Sequence, residues 1–357
     1  MNQNSYRRLV SGEKKGFVPA VARCVLTVLS WPYALAIRVR NYLYSAGFFK
    51  THNAQAVVIS VGNITVGGTG KTPLVIWLAD FLAKKDLRCA ILTRGYKIKN
   101  SRLSDEPAVL AKSCPDARII VNPDRIAGAN EAIGKFDCCV LIMDDGFQHR
   151  RMNRDVNIVT IDATRPFGYG RVLPAGLLRE PISSLRRADA AVLTRCDQVS
   201  QYQLTQTKGK IRQVNPDILI ARSVHAPVCA RSLQHRQIEL EQLVQKNVFA
   251  FCGIGNPDAF FETIRRLGLN AVGTRIFNDH HLYTPDCLRD ICEEARYLGA
   301  DMLLTTQKDW NKAALPEPAG DMLLAYLAVE LKLLAGEEEL IRLIETALAG
   351  KITESEK

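Results

Sequence analysis

The chain has 357 residues, a length that predicts about two domains, each long enough to bury a core of its own. Hydrophobic residues make up 47% and charged residues 24%, which excludes a mainly disordered or fibrous chain. Of the net charge of +10, residues 1–50 carry +7 and the remaining residues only +3. This distribution predicts a near-neutral body with a basic N-terminal arm and disfavours a nucleic-acid binder.

The N-terminal arm, residues 1–50, also contains an apolar run. Fourteen uncharged residues, including Pro32, lie between Arg23 and Arg38. This is shorter than the roughly 20 residues that span a bilayer. Aromatic residues interleave with arginines, as in a helix that lies in the headgroup region of an anionic leaflet. Two interpretations stay open: a membrane-associating amphipathic segment, or a soluble helix packed on the domain.

Cysteine spacing bears on the cellular compartment. Ten cysteines are spread along the chain, and no two of them form a CxxC pair. Several lie within apolar, strand-like runs. The spacing therefore favours buried, reduced thiols in a cytoplasmic protein over a disulfide framework or a zinc site.

From residue 56 the chain alternates between short apolar runs and helical patterns. Strands are predicted at 56–61, 89–93, 118–121, 138–143, 157–161 and 190–194, with helices at 73–84 and 124–134. Continuous apolar strands separated by helices predict a parallel sheet that is covered on both faces, the α/β class.

A second α/β unit is predicted after a long connecting strand. Its first strand precedes Asn256-Pro257, and Thr284-Pro285 repeats this helix-start signal. A return strand and a terminal helix follow. The predicted divisions are the arm at 1–50, a P-loop domain at 51–217, a linker strand at 218–228, a second domain at 229–322, and the return strand with the C-terminal helix at 323–357.

The strongest motif follows the first strand of the body. Residues 61–72 read Val-Gly-Asn-Ile-Thr-Val-Gly-Gly-Thr-Gly-Lys-Thr and stand between a predicted strand and a predicted helix. This is the setting of a phosphate-binding loop, in which the lysine reaches the β- and γ-phosphates and the threonine hydroxyl binds Mg²⁺. One departure is Thr65, where the GxxxxGK[ST] pattern has glycine. The predicted nucleotide-binding residues are Thr65, Val66, Gly67, Gly68, Thr69, Gly70, Lys71 and Thr72.

Two acids end the predicted strand at 138–143. Asp144 and Asp145 can hold a metal or its water, or orient a nucleophile, and together with Thr72 they form the predicted metal site. His149 follows closely, either as a structural hydrogen-bonding residue or as a substrate contact. The loop and the acids together predict transfer or hydrolysis of an NTP γ-phosphoryl group, without naming the acceptor.

Beyond these two motifs, an ordered set of short sequences carries a resemblance to a known family. The set comprises residues 61–73, Thr93-Arg-Gly-Tyr96, Asp105-Glu-Pro107, Asp144-Asp-Gly-Phe-Gln-His149, Pro174-Ala-Gly176, Leu178-Arg-Glu-Pro181, Phe251-Cys-Gly-Ile-Gly-Asn-Pro257, Asp279-His-His281 and Thr306-Gln-Lys-Asp309. In this order it resembles the tetraacyldisaccharide 4′-kinases, the lipid A 4′-kinases of Gram-negative bacteria. The resemblance covers most of the chain.

The resemblance implies a particular reaction and place. Members of the family phosphorylate the 4′-hydroxyl of a tetraacylated glucosamine disaccharide 1-phosphate with ATP and Mg²⁺, in lipid A and lipopolysaccharide biosynthesis. They are peripheral enzymes of the cytoplasmic face of the inner membrane. Their fold is a P-loop NTPase-like parallel-sheet domain and a smaller α/β/α domain joined by a β-ribbon, with the active site between the domains. The implied partners are an anionic glycolipid and the membrane surface, with no nucleic acid and no obligate protein partner.

The resemblance also implies roles for particular residues. Asp105 matches the family's general base, and His280 matches its partner from the second domain. Lys71 and Asp145 complete the predicted catalytic set. The predicted substrate residues are Arg94, Tyr96 and Arg171. Taken alone, Asp105 could also cap the helix that follows it.

Two other functions are compatible with parts of the sequence. A membrane-surface switch or partitioning ATPase shares the Gly-Lys-Thr core, although such proteins usually carry a further lysine where this chain has Val66. A dinucleotide-binding enzyme could use Gly253-Ile-Gly255, but the third glycine of that fingerprint is missing.

Overall fold

The computed structural model describes residues 3–95, 105–232, 236–278, 281–312 and 322–355. Within these ranges the chain forms two compact units. The first comprises residues 3–224 together with 332–355, and the second is His225–Leu331. Each unit is described below by itself.

The first unit begins with two helices and continues as alternating strands and helices. Its elements in chain order are α1 (Gln3–Val10), α2 (Phe17–Ser45), β1 (Val57–Gly62), α3 (Lys71–Ala83), β2 (Cys89–Thr93), α4 (Asp105–Ser113), β3 (Arg118–Val121), α5 (Arg125–Phe136), β4 (Val140–Asp144), β5 (Val156–Asp162), β6 (Ala190–Thr194), α6 (Gln201–Val214) and β7 (Leu219–Ser232). Strand β7 continues into the second unit, and the C-terminal helix α11 (Glu337–Ser355) returns to the first.

The strands of the first unit form a parallel sheet in the order β7-β6-β5-β1-β4-β2-β3. Every residue of β1, β2, β4, β5 and β6 is buried. Helices supply the cover that continuous apolar strands require on both faces. The predicted α/β class with a parallel sheet is confirmed.

The register of the sheet decides which motifs meet. Strand β1 lies between β4 and β5, and Val61 pairs with Asp144. Because parallel strands end at the same edge of a sheet, the loop after β1 and the acids after β4 emerge side by side. The ends of β5 and β6 lie at the same edge, which brings Thr160 and Thr194 toward the loop.

The second unit is a smaller α/β structure. Its elements are β8 (Gln237–Glu239), α7 (Leu240–Val244), β9 (Asn247–Cys252), α8 (Pro257–Arg266), β10 (Asn270–Ile276), α9 (Pro285–Tyr297), β11 (Met302–Thr306), α10 (Gln307–Lys312) and β12 (Leu323–Ala335), whose last residues belong to the first unit. Strands β10-β9-β11-β12 pair in parallel, and β8 pairs antiparallel with the end of β7. The side chains of Asn256 and Thr284 cap α8 and α9, as the sequence predicts.

The N-terminal apolar run belongs to one long helix. Helix α2 has 29 residues and passes through Pro32, although proline removes one backbone hydrogen bond of a helix. By length and composition alone, the whole of α2 is long and apolar enough to cross a membrane. Its uncharged part, residues 24–37, is shorter than the roughly 20 residues that a bilayer requires. Only Ser30 among its residues is buried. The helix therefore exposes most of its surface.

The two faces of α2 differ. Residues Thr27, Tyr33, Arg40 and Asn41 make hydrogen bonds to residues 171–180 of the body. The opposite face carries exposed side chains at a spacing of three and four residues, a continuous stripe along the helix. This apolar stripe consists of Val18, Val21, Val25, Val28, Trp31, Leu35, Val39 and Tyr42.

Candidate active site

The loop after β1 has the backbone of a phosphate-binding loop. It runs from Gly62 to the start of α3 at Lys71, so that the N-terminus of a 13-residue helix faces the loop. Gly67 has φ 122° and Gly70, which caps the helix, has φ 86°. Both values suit glycine because a Cβ disfavours this region. Backbone N–H groups at such a terminus can bind a polyphosphate.

Hydrogen bonds from neighbouring strands hold this loop in shape. The Asn63 side chain donates to Thr69 Oγ1 at 3.0 Å, and the Thr69 hydroxyl is 2.7 Å from that of Thr160 on β5. Thr194 on β6 donates to the carbonyl of Thr69 at 2.9 Å. Arg195 donates to the carbonyl of Gly68 at 3.0 Å. A loop held by these hydrogen bonds loses little conformational entropy when a ligand binds, and this favours binding.

The turn after the acid pair packs directly on the loop strand. A Cβ on Gly62 would lie 2.5 Å from Phe147 Cβ, and one on Gly146 would lie 2.6 Å from Ser60 Oγ. Only glycine permits this approach, because real Cβ atoms do not come so close. Gln148 of the same turn donates to the Asn63 carbonyl at 2.8 Å. The acids are therefore fixed against the phosphate loop by backbone proximity.

The two acids occupy different surroundings. Asp144 ends β4 and is buried, and its carbonyl accepts a hydrogen bond from the buried Arg125 at 3.2 Å. Asp145 follows in the left-handed region, with φ 53°, and its side chain is about one third exposed. The turn of the backbone thus presents Asp145 toward the loop.

Two cations converge on Asp145. The Nζ atom of Lys71 is 3.4 Å from Asp145 Oδ1, and Arg179 Nη1 is 2.8 Å and 3.0 Å from the two carboxylate oxygens. Burial alone would raise the pKa of Asp145, but the charges of Lys71 and Arg179 outweigh it and lower the pKa to about 2. Asp145 is therefore a fixed anion between two cations at neutral pH.

His149 has a strongly positive environment. Burial, followed by the charges of Arg125, Arg94, Arg154 and Arg151, lowers the pKa of His149 to about 4. The ring is therefore neutral near pH 7. Within the described residues its buried Nε2 has no hydrogen-bond partner. This geometry leaves open both a structural role and a substrate contact.

The remaining predicted site residues are placed as follows. Arg94 directly follows β2, is exposed, and lies near enough to Arg125 to lower its pKa. Arg171 is exposed and donates to Thr27 Oγ1 of α2 at 2.9 Å. Tyr96 and His280 lie outside the described residues. Asp105 begins α4, but its side chain is also outside what is described. The roles of these five residues stay predictions.

Sequence reasoning assigned no role to several residues of the site. Arg179 and Glu180 lie in the Leu178-Arg-Glu-Pro181 motif, which contributes to the family resemblance without indicating a function. Arg125, Thr160 of β5 and Thr194 of β6 do not belong to any recognised motif. Only the spatial adjacency of strand ends reveals them.

The donor set fits Mg²⁺ and a nucleoside triphosphate. Mg²⁺ is usually held by one or two carboxylates together with substrate phosphates and waters. Among the described residues no cluster of three or more His, Cys, Asp or Glu could form an all-protein metal cage. Asp144 and Asp145, with Thr72 at the start of α3, match a site in which a few protein oxygens hold Mg²⁺ together with substrate phosphates and waters.

A glycine-rich loop on a central parallel strand, a lysine at the helix start and an adjacent acidic turn define a P-loop phosphotransferase. Residues 22–349 match the sequence profile of LpxK, tetraacyldisaccharide-1-P 4′-kinase. This chain belongs to that family. The predicted family, fold class and kinase activity are confirmed, as are ATP and Mg²⁺ as the cofactors of the family.

Individual relatives agree with this membership. The tetraacyldisaccharide 4′-kinase of Halothermothrix orenii is 34% identical, over 84% of this chain and 85% of that protein. That of Geobacter sulfurreducens is 38% identical, over 86% and 89%. The crystal structure of LpxK from Aquifex aeolicus in complex with ATP has a TM-score of 0.70 and 32% identity, over 92% of this chain and 99% of that one. These matches favour the lipid kinase over the partitioning ATPase and the dinucleotide enzyme.

Proposed function

We propose that this protein transfers the γ-phosphoryl group of ATP to the 4′-hydroxyl of a tetraacylated glucosamine disaccharide 1-phosphate. The observation that carries the proposal is the convergence of Lys71 and Arg179 on Asp145, beside a preformed phosphate loop in a member of this kinase family. Positioned cations and carboxylates are the groups on which phosphoryl transfer depends.

The residues of the loop and the acidic turn bind and orient the donor. In the proposal, residues 65–72 surround the phosphates, and Lys71 supplies a positive charge to the β- and γ-phosphates. Thr72, Asp144 and Asp145 would hold Mg²⁺, which neutralises developing charge when bound. Arg179 keeps Asp145 ionised and in place.

The acceptor side rests on residues carried over from the family. A sugar hydroxyl has a high pKa and must lose its proton as the bond to phosphorus forms. Asp105 is the proposed general base, and His280 orients and tunes its carboxylate. Arg94, Tyr96 and Arg171 are the proposed substrate contacts.

A direct assay tests the reaction. Purified full-length protein is incubated with ATP labelled in the γ-phosphate, Mg²⁺ and the disaccharide 1-phosphate lipid dispersed in detergent. We expect label in a bisphosphorylated lipid, located at the 4′ position by mass spectrometry. A parallel reaction with EDTA should give no product. Folded protein that hydrolyses ATP but never labels the lipid would contradict the proposal.

We further propose that the enzyme is peripheral on the cytoplasmic face of the inner membrane, held there by α2. A lipid acceptor and an exposed apolar helix agree with association with a membrane. The apolar stripe offers the lipid-facing side, and the +7 charge of residues 1–50 favours anionic headgroups. Because the opposite face of α2 is hydrogen-bonded to the body, the helix lies in the interface rather than crossing the bilayer.

Substitutions on the apolar stripe test this attachment. Val28→Ser with Leu35→Ser should reduce cosedimentation with phosphatidylglycerol-containing vesicles about 10-fold or more, because both side chains are more than half exposed. Tyr297→Ser removes a 90% exposed aromatic from the second unit and should have no effect. If the wild-type protein formed dimers through α2 and did not cosediment with vesicles, the assignment of the apolar stripe to membrane attachment would be wrong.

A further inference from the structure

Three residues on the face of α2 that is hydrogen-bonded to the body contact two consecutive body residues, Arg179 and Glu180. Tyr33 donates to the carbonyl of Arg179 at 2.8 Å. Arg40 and Asn41, about two turns further along the same face, donate to the two carboxylate oxygens of Glu180, each at 3.0 Å. All three contacts therefore fall on Arg179-Glu180, the pair that adjoins the phosphate site.

From these two residues, two paths lead to the acidic turn. The Arg179 side chain forms the paired contacts with Asp145. Glu180 binds Arg187 at 2.7 Å, and Arg187 lies 3.8 Å above the Phe147 ring and donates to the Phe147 carbonyl at 3.2 Å. Asp145 and Phe147 are two residues apart, so both paths converge on one turn.

The α2 contacts affect the position of Arg179 because the Glu180 carboxylate that they reach is buried. The Glu180 side chain is fully buried, and a buried carboxylate is costly unless charges and hydrogen bonds compensate it. Arg187 and Ser184 supply part of that compensation, and Arg40 and Asn41 of α2 add one hydrogen bond to each carboxylate oxygen. Without the two α2 donors, Glu180 must find other partners or move toward water. Because Arg179 is the preceding residue, its backbone moves with Glu180.

We infer that Arg40 and Asn41 are positioning residues for phosphoryl transfer: they anchor Glu180 and thereby hold Arg179 against Asp145. The helix that carries the membrane-facing stripe is thus also part of the support of the acidic turn. As a statement about turnover, the inference rests on the proposed kinase function. A purely structural fastening of α2 would instead change stability and leave the steps at the phosphate site unaltered.

A double-mutant cycle distinguishes the two roles. The variants are Arg40→Gln with Asn41→Leu, Arg179→Gln, and their combination. The α2 pair should lower kcat about 10-fold in the wild-type background and less than about 2-fold in the Arg179→Gln background, since its effect passes through Arg179. The apparent KM for the lipid should stay within about 2-fold. Arg38→Gln removes the same charge from the exposed part of α2 and should leave kcat unchanged.

Equal losses in the two backgrounds, or no loss in either, would overturn the inference. If the α2 pair disturbs folding, Tyr33→Phe removes a single hydroxyl and should give a smaller fall in kcat with the same dependence on Arg179. The same set of variants is compared by the dissociation constant of a fluorescent ATP analogue with Mg²⁺, where we expect the effect of the α2 pair to depend on Arg179 in the same way. If the wild-type protein failed to phosphorylate lipid, the proposed function would be wrong. The double-mutant cycle measured by binding of the ATP analogue would still decide the role of Arg40 and Asn41.

Discussion

Replacing Lys71 by methionine should lower kcat for lipid phosphorylation by about 10³-fold, the size of effect seen when one preorganised charge-stabilising donor is lost. The physical reason is that Lys71 begins α3 and is the only lysine of the loop sequence 61–72. Methionine keeps much of the side-chain volume and leaves Asp145 paired with Arg179. The fold should therefore survive while the charge is lost. Initial rates at saturating ATP and lipid measure the effect.

The lysine that caps the far end of the same helix provides the control. Lys84 caps the far end of α3 and is exposed, so that Lys84→Met should retain wild-type turnover. Thermal unfolding of both variants checks that they are folded. Near wild-type kcat in Lys71→Met would show that the loop does not bind the transferred phosphate.

Replacing Asp145 by asparagine should lower kcat by about 10²-fold or more. The substitution keeps the shape and removes the negative charge, which leaves Lys71 and Arg179 facing each other without the anion between them. It also removes a carboxylate from the proposed metal site. We expect the Mg²⁺ concentration for half-maximal activity to rise along with the loss in kcat. A magnesium titration at saturating ATP measures both.

The control for this variant is matched in backbone conformation. Asp137 also has a positive φ, 48°, and is exposed, where it pairs with Arg88 at the surface. Asparagine tolerates the left-handed region as aspartate does, so both substitutions carry a similar backbone cost. Asp137→Asn should leave turnover and the magnesium response unchanged. If both variants lost activity equally, the effect of Asp145 would be conformational rather than electrostatic.

The strands of the first unit were largely predictable because they are buried on both faces. Strands β2, β3 and β6 begin and end at the predicted residues. Strands β2 and β6 are buried apolar runs bounded by polar residues, whereas β3 is a short strand at the end of the sheet that begins with Arg118 and has only one buried residue. Helix α6 was not predicted, because its sequence is mostly polar. Its start does carry a signal, a capping box between Ser200 and Gln203. Strand β10 also escaped prediction, since its mixed, partly exposed residues give no continuous apolar run.

The site divides in a similar way. Lys71, Thr72 and the acid pair were predicted because contiguous motifs encode them. Arg179 was not given a role, because its contact with Asp145 spans 34 positions and depends on how the 171–180 segment folds back. The threonines that brace the loop, Thr160 and Thr194, reach it only through the strand order β6-β5-β1.

The sequence by itself determined that this is a nucleotide-dependent enzyme of an identifiable family, with a basic and apolar N-terminal arm. Those properties reside in local order: a loop pattern, a strand ending in acids, and a run of side chains. It left the arm between two interpretations, and only the tertiary structure showed that α2 has two different faces. One face is hydrogen-bonded to Arg179-Glu180, and the other exposes the apolar stripe. This follows from helical periodicity together with long-range contacts, and the contacts exist only once the chain has folded.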